Sequence, residues 1–256
     1  MNAYVGSPLY FADQTVTDIA AFRNNAVRGK SLGSAYTPAQ KKAVRDGTFE
    51  GIYLGDYWQI GGFNWRIWGF DYFRGIGEDD KVCTAHHLVI VPDTNLLNGD
   101  GSTTHYMNDT NTTAGGYKAA NMRSVYLPQL LEMIENLFGR EHILKHQEMI
   151  TNAVSNGKAS GSEWIDTKLE LLSEKMIYGT PVWGEAEYNS GHNVGSNLAQ
   201  LPLAESMPQF TTIRKDYWLR DVVSASTFAF VLTNGFAYYT GASYASPGVR
   251  PFFLLS

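Results

Sequence analysis

The sequence predicts an α+β domain in which strands from the two ends of the chain enclose a helical middle. Segments 51–73 and 217–256 are rich in aromatic and β-branched residues, which favour strands. Residues 124–179 instead carry apolar residues at helical spacing. The chain of 256 residues is long enough to bury a substantial core. If the terminal strands pair, they close the domain around the central helices.

Two short helices are predicted near the N-terminus, at 17–29 and 37–47. In the second, Thr37 suits the N-cap, Pro38 suits the first helical position, and Gln40 has the spacing of a capping box. Both helices are short, so they need contacts with the rest of the protein to persist.

Three strands are predicted next. Residues 52–60 and 63–73 form a hairpin joined by two glycines, Gly61 and Gly62. The second strand of this hairpin bears large side chains on both faces, so we expect it to be covered on both sides. A third, short apolar strand occupies 86–92.

The polar stretch at 93–121 has no periodicity, and a loop of this length is expected to be functional or held by packing. Three helices are predicted after it, at 124–139, 140–157 and 161–179, the last capped by Ser162. Their apolar positions at helical spacing are Leu130, Ile134, Leu137 and Phe138 in the first helix and Ile165, Leu169, Leu172 and Met176 in the third.

A second irregular stretch follows at 180–210, and the chain then ends in four predicted strands. They lie at 217–222, 226–233, 235–240 and 248–256, with Thr233, Asn234 and Gly235 as the turn of a hairpin.

Composition excludes several classes of function. The net charge is −5 and Lys and Arg are not clustered, so we expect no nucleic-acid binding. No basic segment followed by an apolar run marks a secretory signal, and no apolar window is long enough to span a membrane. The single cysteine, Cys83, excludes a disulfide framework and suggests a small buried side chain.

Few residues suggest catalysis or metal binding. His142 and His146 are four apart on a predicted helix and could share a metal, but no third ligand is evident, so solvent-facing or capping roles are the alternative. His86 and His87 begin a strand and point to opposite faces, one as a core histidine. The loop at 93–101 resembles a calcium loop in composition but fails the EF-hand template. We expect no enzymatic activity, no metal and no cofactor.

A binding surface is suggested by residues 235–247, where Tyr, Ser, Ala and Gly dominate. Rigid aromatic rings with small polar neighbours are typical of adaptable binding surfaces. The alternative is an ordinary hairpin with tyrosines on its solvent face. The candidate exposed residues are Tyr238, Tyr239, Ser243 and Tyr244.

Four short motifs carry a family resemblance. They are Gly55-Asp56-Tyr57-Trp58, Trp65-Arg66-Ile67, Tyr217-Trp218-Leu219-Arg220 and Gly248-Val249-Arg250-Pro251. Over residues 48–256 they resemble a C-type-lectin-like domain of bacterial surface and phage proteins. Phage tropism determinants and formylglycine-generating enzymes are similar to this branch. In that fold the N- and C-terminal strands pair around the middle of the domain.

The resemblance implies roles for particular residues. Trp58, Trp65, Arg66, Trp218, Arg220 and Arg250 would specify the fold. Arg220 and Arg250 lie beside apolar strands, where a guanidinium must be paired or hydrogen-bonded, and Asp56, Asp71 or Asp221 could supply a carboxylate. The sequence departs from sugar-binding lectins because it lacks a Glu-Pro-Asn or Gln-Pro-Asp triplet. It departs from the enzymes because Cys83 stands alone and far from the C-terminal end.

The implied function is that of a non-enzymatic phage virion structural protein, as a head fibre, decoration protein or tail component. Residues 1–47 would form a helical attachment segment, and 48–256 would form the displayed domain. Its partners would be capsid or tail proteins and a host-surface glycan or protein, and we expect a homo-oligomer, with a trimer as the specific prediction. The alternatives are a bacterial cell-surface glycan-binding module and a degenerate relative of the enzymes with metal at His142 and His146.

Overall fold

The computed structural model describes residues 24–98, 105–152, 161–184 and 200–256, and the backbone alone of 154–155 and 158–159. Helices are combined with antiparallel sheets, so the protein belongs to the α+β class. The helices are α1 (Pro38–Arg45), α2 (Leu127–Phe138), α3 (Glu174–Tyr178) and α4 (Pro202–Ser206). The strands are β1 (Tyr57–Ile60), β2 (Phe63–Phe70), β3 (Leu88–Pro92), β4 (His146–Thr151), β5 (Val154–Ser155), β6 (Lys158–Ala159), β7 (Ser162–Thr167), β8 (Leu169–Leu171), β9 (Tyr217–Val222), β10 (Thr227–Val231), β11 (Ala237–Gly241) and β12 (Pro251–Leu255).

A five-stranded sheet in the order β1-β2-β3-β12-β8 forms the centre of the fold. β12 pairs antiparallel with β3, where Phe253 lies opposite Ile90, and with β8 on its other side. All five residues of β12 are buried, as expected for an apolar run covered on both faces. The prediction that strands from the two ends of the chain pair is therefore confirmed.

A second sheet has three strands in the order β11-β10-β9, so β11 lies at its edge. Thr233, Asn234 and Gly235 form the turn between β10 and β11, as predicted, and Gly235 adopts a positive φ of 88°. Backbone hydrogen bonds from Trp218 to Gly248 and from Arg220 to Leu172 connect β9 to segments next to β12 and β8.

The described part of the N-terminal region packs against the large sheet. Residues 30–33 run beside β1, where Leu32 N–H donates to the Tyr57 carbonyl and Tyr57 N–H donates to the Lys30 carbonyl. The α1 capping box between Thr37 and Gln40 is present as predicted. The predicted helix at 17–29 is wrong at its described end, because Val27 bridges to Leu54 in extended conformation; its residues 17–23 lie outside the described residues. The division at residue 47 stays a prediction.

The first hairpin and the first central helix also agree with the sequence. β1 and β2 pair around Gly61 and Gly62, and the last six residues of β2 are buried, so it is covered on both faces. In α2, Leu130, Ile134 and Phe138 are buried and Leu137 packs against the core. A π-helical turn, Met122–Tyr126, precedes this helix.

The predicted helix at 140–157 is wrong, and the one at 161–179 is wrong except at its end, where α3 lies. β4 and β7 lie in these segments and pair antiparallel, with His146 opposite Thr167 at one end and Thr151 opposite Ser162 at the other. Ser162 therefore starts a strand, and Ser173 caps the five-residue helix α3 instead. Ile165, Leu169, Leu172 and Met176 are all buried, but the first two lie on separate strands. Cross-strand pairing here overrides the helical propensity of Leu, Glu and Lys.

Candidate binding site

The aromatic residues expected to specify the fold lie in the core. Trp58, Trp65 and Trp218 are fully buried. Each indole N–H has a partner: Gln40 Oε1 for Trp58, the Ile60 carbonyl for Trp65 and the His105 carbonyl for Trp218. Satisfied indoles of this kind stabilise a core and leave no donor for a ligand.

Arg66 and Arg220 are buried in ion pairs, and the partner of Arg220 differs from the candidates named from the sequence. Arg66 makes a bidentate contact with Asp93, at 2.7 and 2.5 Å, and also donates to the Gly55 carbonyl. Arg220 pairs with Glu148, a fully buried carboxylate.

The predicted carboxylates hold other groups. Asp56 binds Arg28 and Asp71 binds His86. Asp221 accepts the backbone N–H of Glu174 at 2.8 Å.

Arg250 is buried without a carboxylate in contact among the described residues. Its guanidinium lies over the rings of Trp68 and Tyr217, at 4.9 and 5.2 Å from their centroids. Its Nε–H donates to the Pro92 carbonyl at 2.8 Å. Cation–π contacts of a desolvated guanidinium are worth about 2 kcal/mol, so Arg250 is hydrogen-bonded, as the sequence allowed, and the two rings take the place of a carboxylate partner.

The histidine pair does not have the predicted geometry. His142 ends a short 3₁₀ turn, whereas His146 lies on β4 and its Nε2 contacts Glu148 at 2.8 Å. No helix joins them, so the helical spacing that suggested a shared metal is absent. Within the described ranges, no three His, Cys, Asp or Glu side chains are grouped to hold a metal ion.

Cys83 is buried, as the sequence suggested. Burial raises the pKa of its thiol to about 11, so the thiol stays protonated at neutral pH. His87 lies 3.9 Å away and is fully buried. Burial lowers the pKa of His87 to about 4. A neutral thiol beside a neutral imidazole lacks the thiolate that a cysteine nucleophile requires.

His87 is the core histidine that the sequence predicted. Its Nε2 accepts the Phe73 N–H at 3.1 Å, and its Nδ1 lies 3.0 Å from the Ala85 carbonyl. His86, its neighbour, binds Asp71.

The described part of the calcium-like loop is held by protein groups. The Asp93 carboxylate binds Arg66, and Asn95 Nδ2 donates to the Asp216 carbonyl at 2.9 Å. The rest of this loop, residues 99–101, lies outside the described residues.

Exposed aromatic rings meet at the edge strand β11. Tyr238 and Tyr239 are 48% and 37% exposed, and Trp183 beside them is 43% exposed. The Trp183 ring lies 4.9 Å from the ring of Tyr239 and 6.2 Å from that of Tyr238, between centroids. Its indole N–H donates to the Ala237 carbonyl at 2.9 Å. We call Trp183, Tyr238 and Tyr239 the aromatic cluster.

The other candidates from the sequence lie beyond the end of β11. Ser243 and Tyr244 are exposed in the turn that follows the strand, where Tyr244 N–H donates to the Gly241 carbonyl. The structure therefore joins two of the four predicted residues to a tryptophan and places the other two next to them along the chain.

A buried carboxylate holds Trp183 in place. Glu174 is fully buried at the start of α3. Its Oε2 accepts the backbone N–H groups of Val182, Trp183 and Gly184, at 2.8, 3.0 and 2.9 Å. Three consecutive N–H groups on one carboxylate oxygen form charge-assisted hydrogen bonds, which are stronger than neutral ones. Glu174 therefore fixes the backbone that carries the exposed tryptophan.

Trp183 and Glu174 are the site residues that the sequence did not indicate. Trp183 lies in an irregular polar stretch, 54 positions from its hydrogen-bond partner Ala237. Glu174 was predicted to lie inside a long helix, where a glutamate ordinarily faces solvent. The signal in the sequence that could have pointed to this site was a single tryptophan, two residues after Pro181 and directly before Gly184.

None of the helices in the described ranges is long and apolar enough to cross a membrane. Comparisons with protein-family models, with curated proteins and with solved structures find no match to this chain.

Proposed function

We propose that this protein is a non-enzymatic phage virion structural protein that uses the aromatic cluster to bind the host surface. The observation that supports adhesion is the cluster itself: three exposed aromatic rings in mutual contact at an edge strand. The virion assignment rests on the four sequence motifs and their resemblance to phage C-type-lectin-like proteins.

Exposed aromatic rings favour a binding role over a structural one. Burying large apolar side chains stabilises a protein, so contiguous exposed rings mark interaction surfaces. Trp and Tyr are also enriched among the residues that dominate binding energy. In the aromatic cluster the Trp183 backbone is held by Glu174, so little conformational entropy is lost when a partner binds.

The first test is immunogold electron microscopy of virions, using an antibody against this chain. Label on the head supports a head fibre or decoration protein, and label at the tail tip supports a tail adhesin. Absence of label from every particle would contradict the virion assignment and favour the alternative, a bacterial cell-surface glycan-binding module.

The second test measures adhesion of the purified protein to host cells. We expect Trp183→Ala and Tyr239→Ala to weaken cell binding about tenfold or more, since aromatic truncation in a binding centre costs at least about 1.4 kcal/mol. Val125→Ala is the matched control, because Val125 is also exposed, at 46%, but lies in the turn before α2. Equal binding by all three variants would contradict the adhesive role of the cluster.

The remaining parts of the proposal concern assembly. The protein would attach to capsid or tail proteins through residues 1–47 and form trimers. Analytical ultracentrifugation would detect the trimer, and a chain beginning after residue 23 would test attachment while keeping residues 30–33, which lie beside β1.

A further inference from the structure

A cleft of about 420 Å³ lies beside the aromatic cluster, between helices α3 and α4 and the turn that joins β10 to β11. This volume is within the range of small-molecule sites. Its lining includes the side chains of Tyr178, Gln200, Gln209, Thr212, Asn234 and Phe236.

The lining of this cleft is uncharged. Among the described residues, none of those that line it is Asp, Glu, Lys, Arg or His. A charged ligand placed there would lose hydration without gaining an ion pair, which is costly. The described lining therefore favours a neutral ligand and offers no carboxylate with which to hold a bridging cation.

Hydrogen-bond donors and hydrogen-bond acceptors both remain available at the cleft. Gln200 uses its Nε2 on the Ile177 carbonyl, and Asn234 uses its Oδ1 to accept the Phe236 N–H. The other half of each amide is an acceptor in Gln200 and a donor in Asn234. The Tyr178 hydroxyl donates to the Gly235 carbonyl and keeps its acceptor capacity. A hydroxyl group, which both donates and accepts, matches this arrangement.

An aromatic ring stands at the rim of the cleft. Phe236 is 69% exposed, and it directly precedes Ala237, whose carbonyl holds Trp183. The faces of aromatic rings carry negative partial charge and attract polarised C–H groups. A sugar ring offers such C–H groups on one face and hydroxyl groups around its edge.

We infer that this cleft binds an uncharged saccharide unit of the host surface without calcium, while the aromatic cluster contacts neighbouring units. This inference rests on the proposed adhesive function and names the chemistry of its ligand. It differs from calcium-dependent sugar recognition because amides, hydroxyls and a phenyl ring supply the contacts.

The test is a titration of the purified protein, monitored by calorimetry and ligand-observed NMR. One set of ligands is neutral oligomers of glucose, galactose and N-acetylhexosamine, and the other is their uronate- or phosphate-bearing counterparts. We expect saturable binding of a neutral oligomer that is unchanged by a metal chelator and by added salt. Gln209→Ala and Phe236→Ala should each weaken it about tenfold. Gln59→Ala, an exposed glutamine on β1, is the matched control and should leave it unchanged.

Any of these titration results would overturn the inference: tighter binding of the charged oligomers, loss of binding on chelation, or equal affinity of the Gln209→Ala and Gln59→Ala variants. Host-cell adhesion separates this inference from the proposed function. If cells still bind through the aromatic cluster but no neutral oligomer binds or competes, the saccharide inference is wrong and the adhesive role stands. If the cells do not bind at all, both are wrong.

Discussion

Replacement of Glu174 by glutamine tests how the aromatic cluster is held. Glu174→Gln keeps the shape of the side chain, removes its charge and replaces one oxygen by an NH₂ group. The remaining oxygen can still face the N–H groups of Val182, Trp183 and Gly184. The NH₂ group then occupies the place of Oε1, which accepts a second contact from Trp183 N–H at 3.1 Å, so a donor faces a donor.

The expected loss is moderate. Hydrogen bonds to a charged group are worth about 1.5–3 kcal/mol and neutral ones about 1 kcal/mol. Three N–H groups share the carboxylate, and removing a buried charge also relieves its desolvation, so we expect a net weakening of about 2 kcal/mol. That corresponds to a roughly thirty-fold larger population in which segment 182–184 is detached. Global stability of about 5–15 kcal/mol would keep the rest of the domain folded.

Amide hydrogen exchange measured by NMR follows this change directly. We expect exchange of the 182–184 amides and of the Trp183 indole N–H to accelerate about thirty-fold, while amides of β3 and β12 exchange as before. Glu163→Gln is the matched control, since Glu163 forms an exposed ion pair with Lys118. Unchanged protection of the 182–184 amides in Glu174→Gln would refute the assignment of Glu174 as their anchor.

Further predictions concern the core and the hairpin turn. Burial lowers the pKa of His87 to about 4, so between about pH 6.5 and 4 the unfolded chain binds a proton that the folded protein does not. The free energy of unfolding should therefore fall by about 3 kcal/mol as the pH decreases from about 6.5 to 4. Urea titrations at several pH values should show this slope in the wild type and lack it in His87→Gln. Arg250→Lys should lower the free energy of unfolding by about 2 kcal/mol, since an ammonium cannot stack on two rings, and an unchanged denaturation midpoint would contradict the cation–π assignment. Gly235→Ala should lower the melting temperature more than Gly62→Ala, because both glycines have positive φ but only a Cβ at 235 meets another side chain, that of Thr212; equal shifts would show that the turn tolerates the added atom.

The elements that the sequence predicted correctly depend on local chemistry. Thr37 and Gln40 form their capping box within a single turn of chain, and Gly61 and Gly62 supply the positive φ angles that the first hairpin needs. β12 is a short apolar run, which suits a strand covered on both faces. In each case the residues that decide the structure lie close together in the sequence.

The two wrong helices show what local patterns miss. Glu148 on β4 and Glu170 on β8 are buried, although a glutamate in a pattern is ordinarily assigned to solvent. They are tolerated because Arg220 and Arg123, which are remote in the sequence, pair with them. Once these glutamates are assigned to the outside, the remaining apolar positions match a helix. The error therefore follows from ion pairs that exist only in the folded protein.

The candidate site likewise contains residues that the sequence predicted and one that it did not. Tyr238 and Tyr239 were predicted because a tyrosine-rich hairpin is visible in the sequence. Trp183 could not be predicted, because its position depends on Glu174 and on the Ala237 carbonyl, and both contacts form only when the chain folds.

Similar hydrogen bonds occur elsewhere, where irregular segments meet the sheets. There a carboxylate accepts backbone N–H groups that are not bonded to a neighbouring strand. Asp56 accepts the N–H groups of Lys30 and Tyr53, and Asp71 accepts that of His87. Glu174 does the same for the segment that carries Trp183. Because these bonds end on backbone atoms, the side chains of the segments they hold are not constrained by them. A substitution at position 183 removes the indole contact with the Ala237 carbonyl but leaves the backbone bonded to Glu174, so under the proposed adhesive function the ligand specificity of this surface can change while segment 182–184 stays in place.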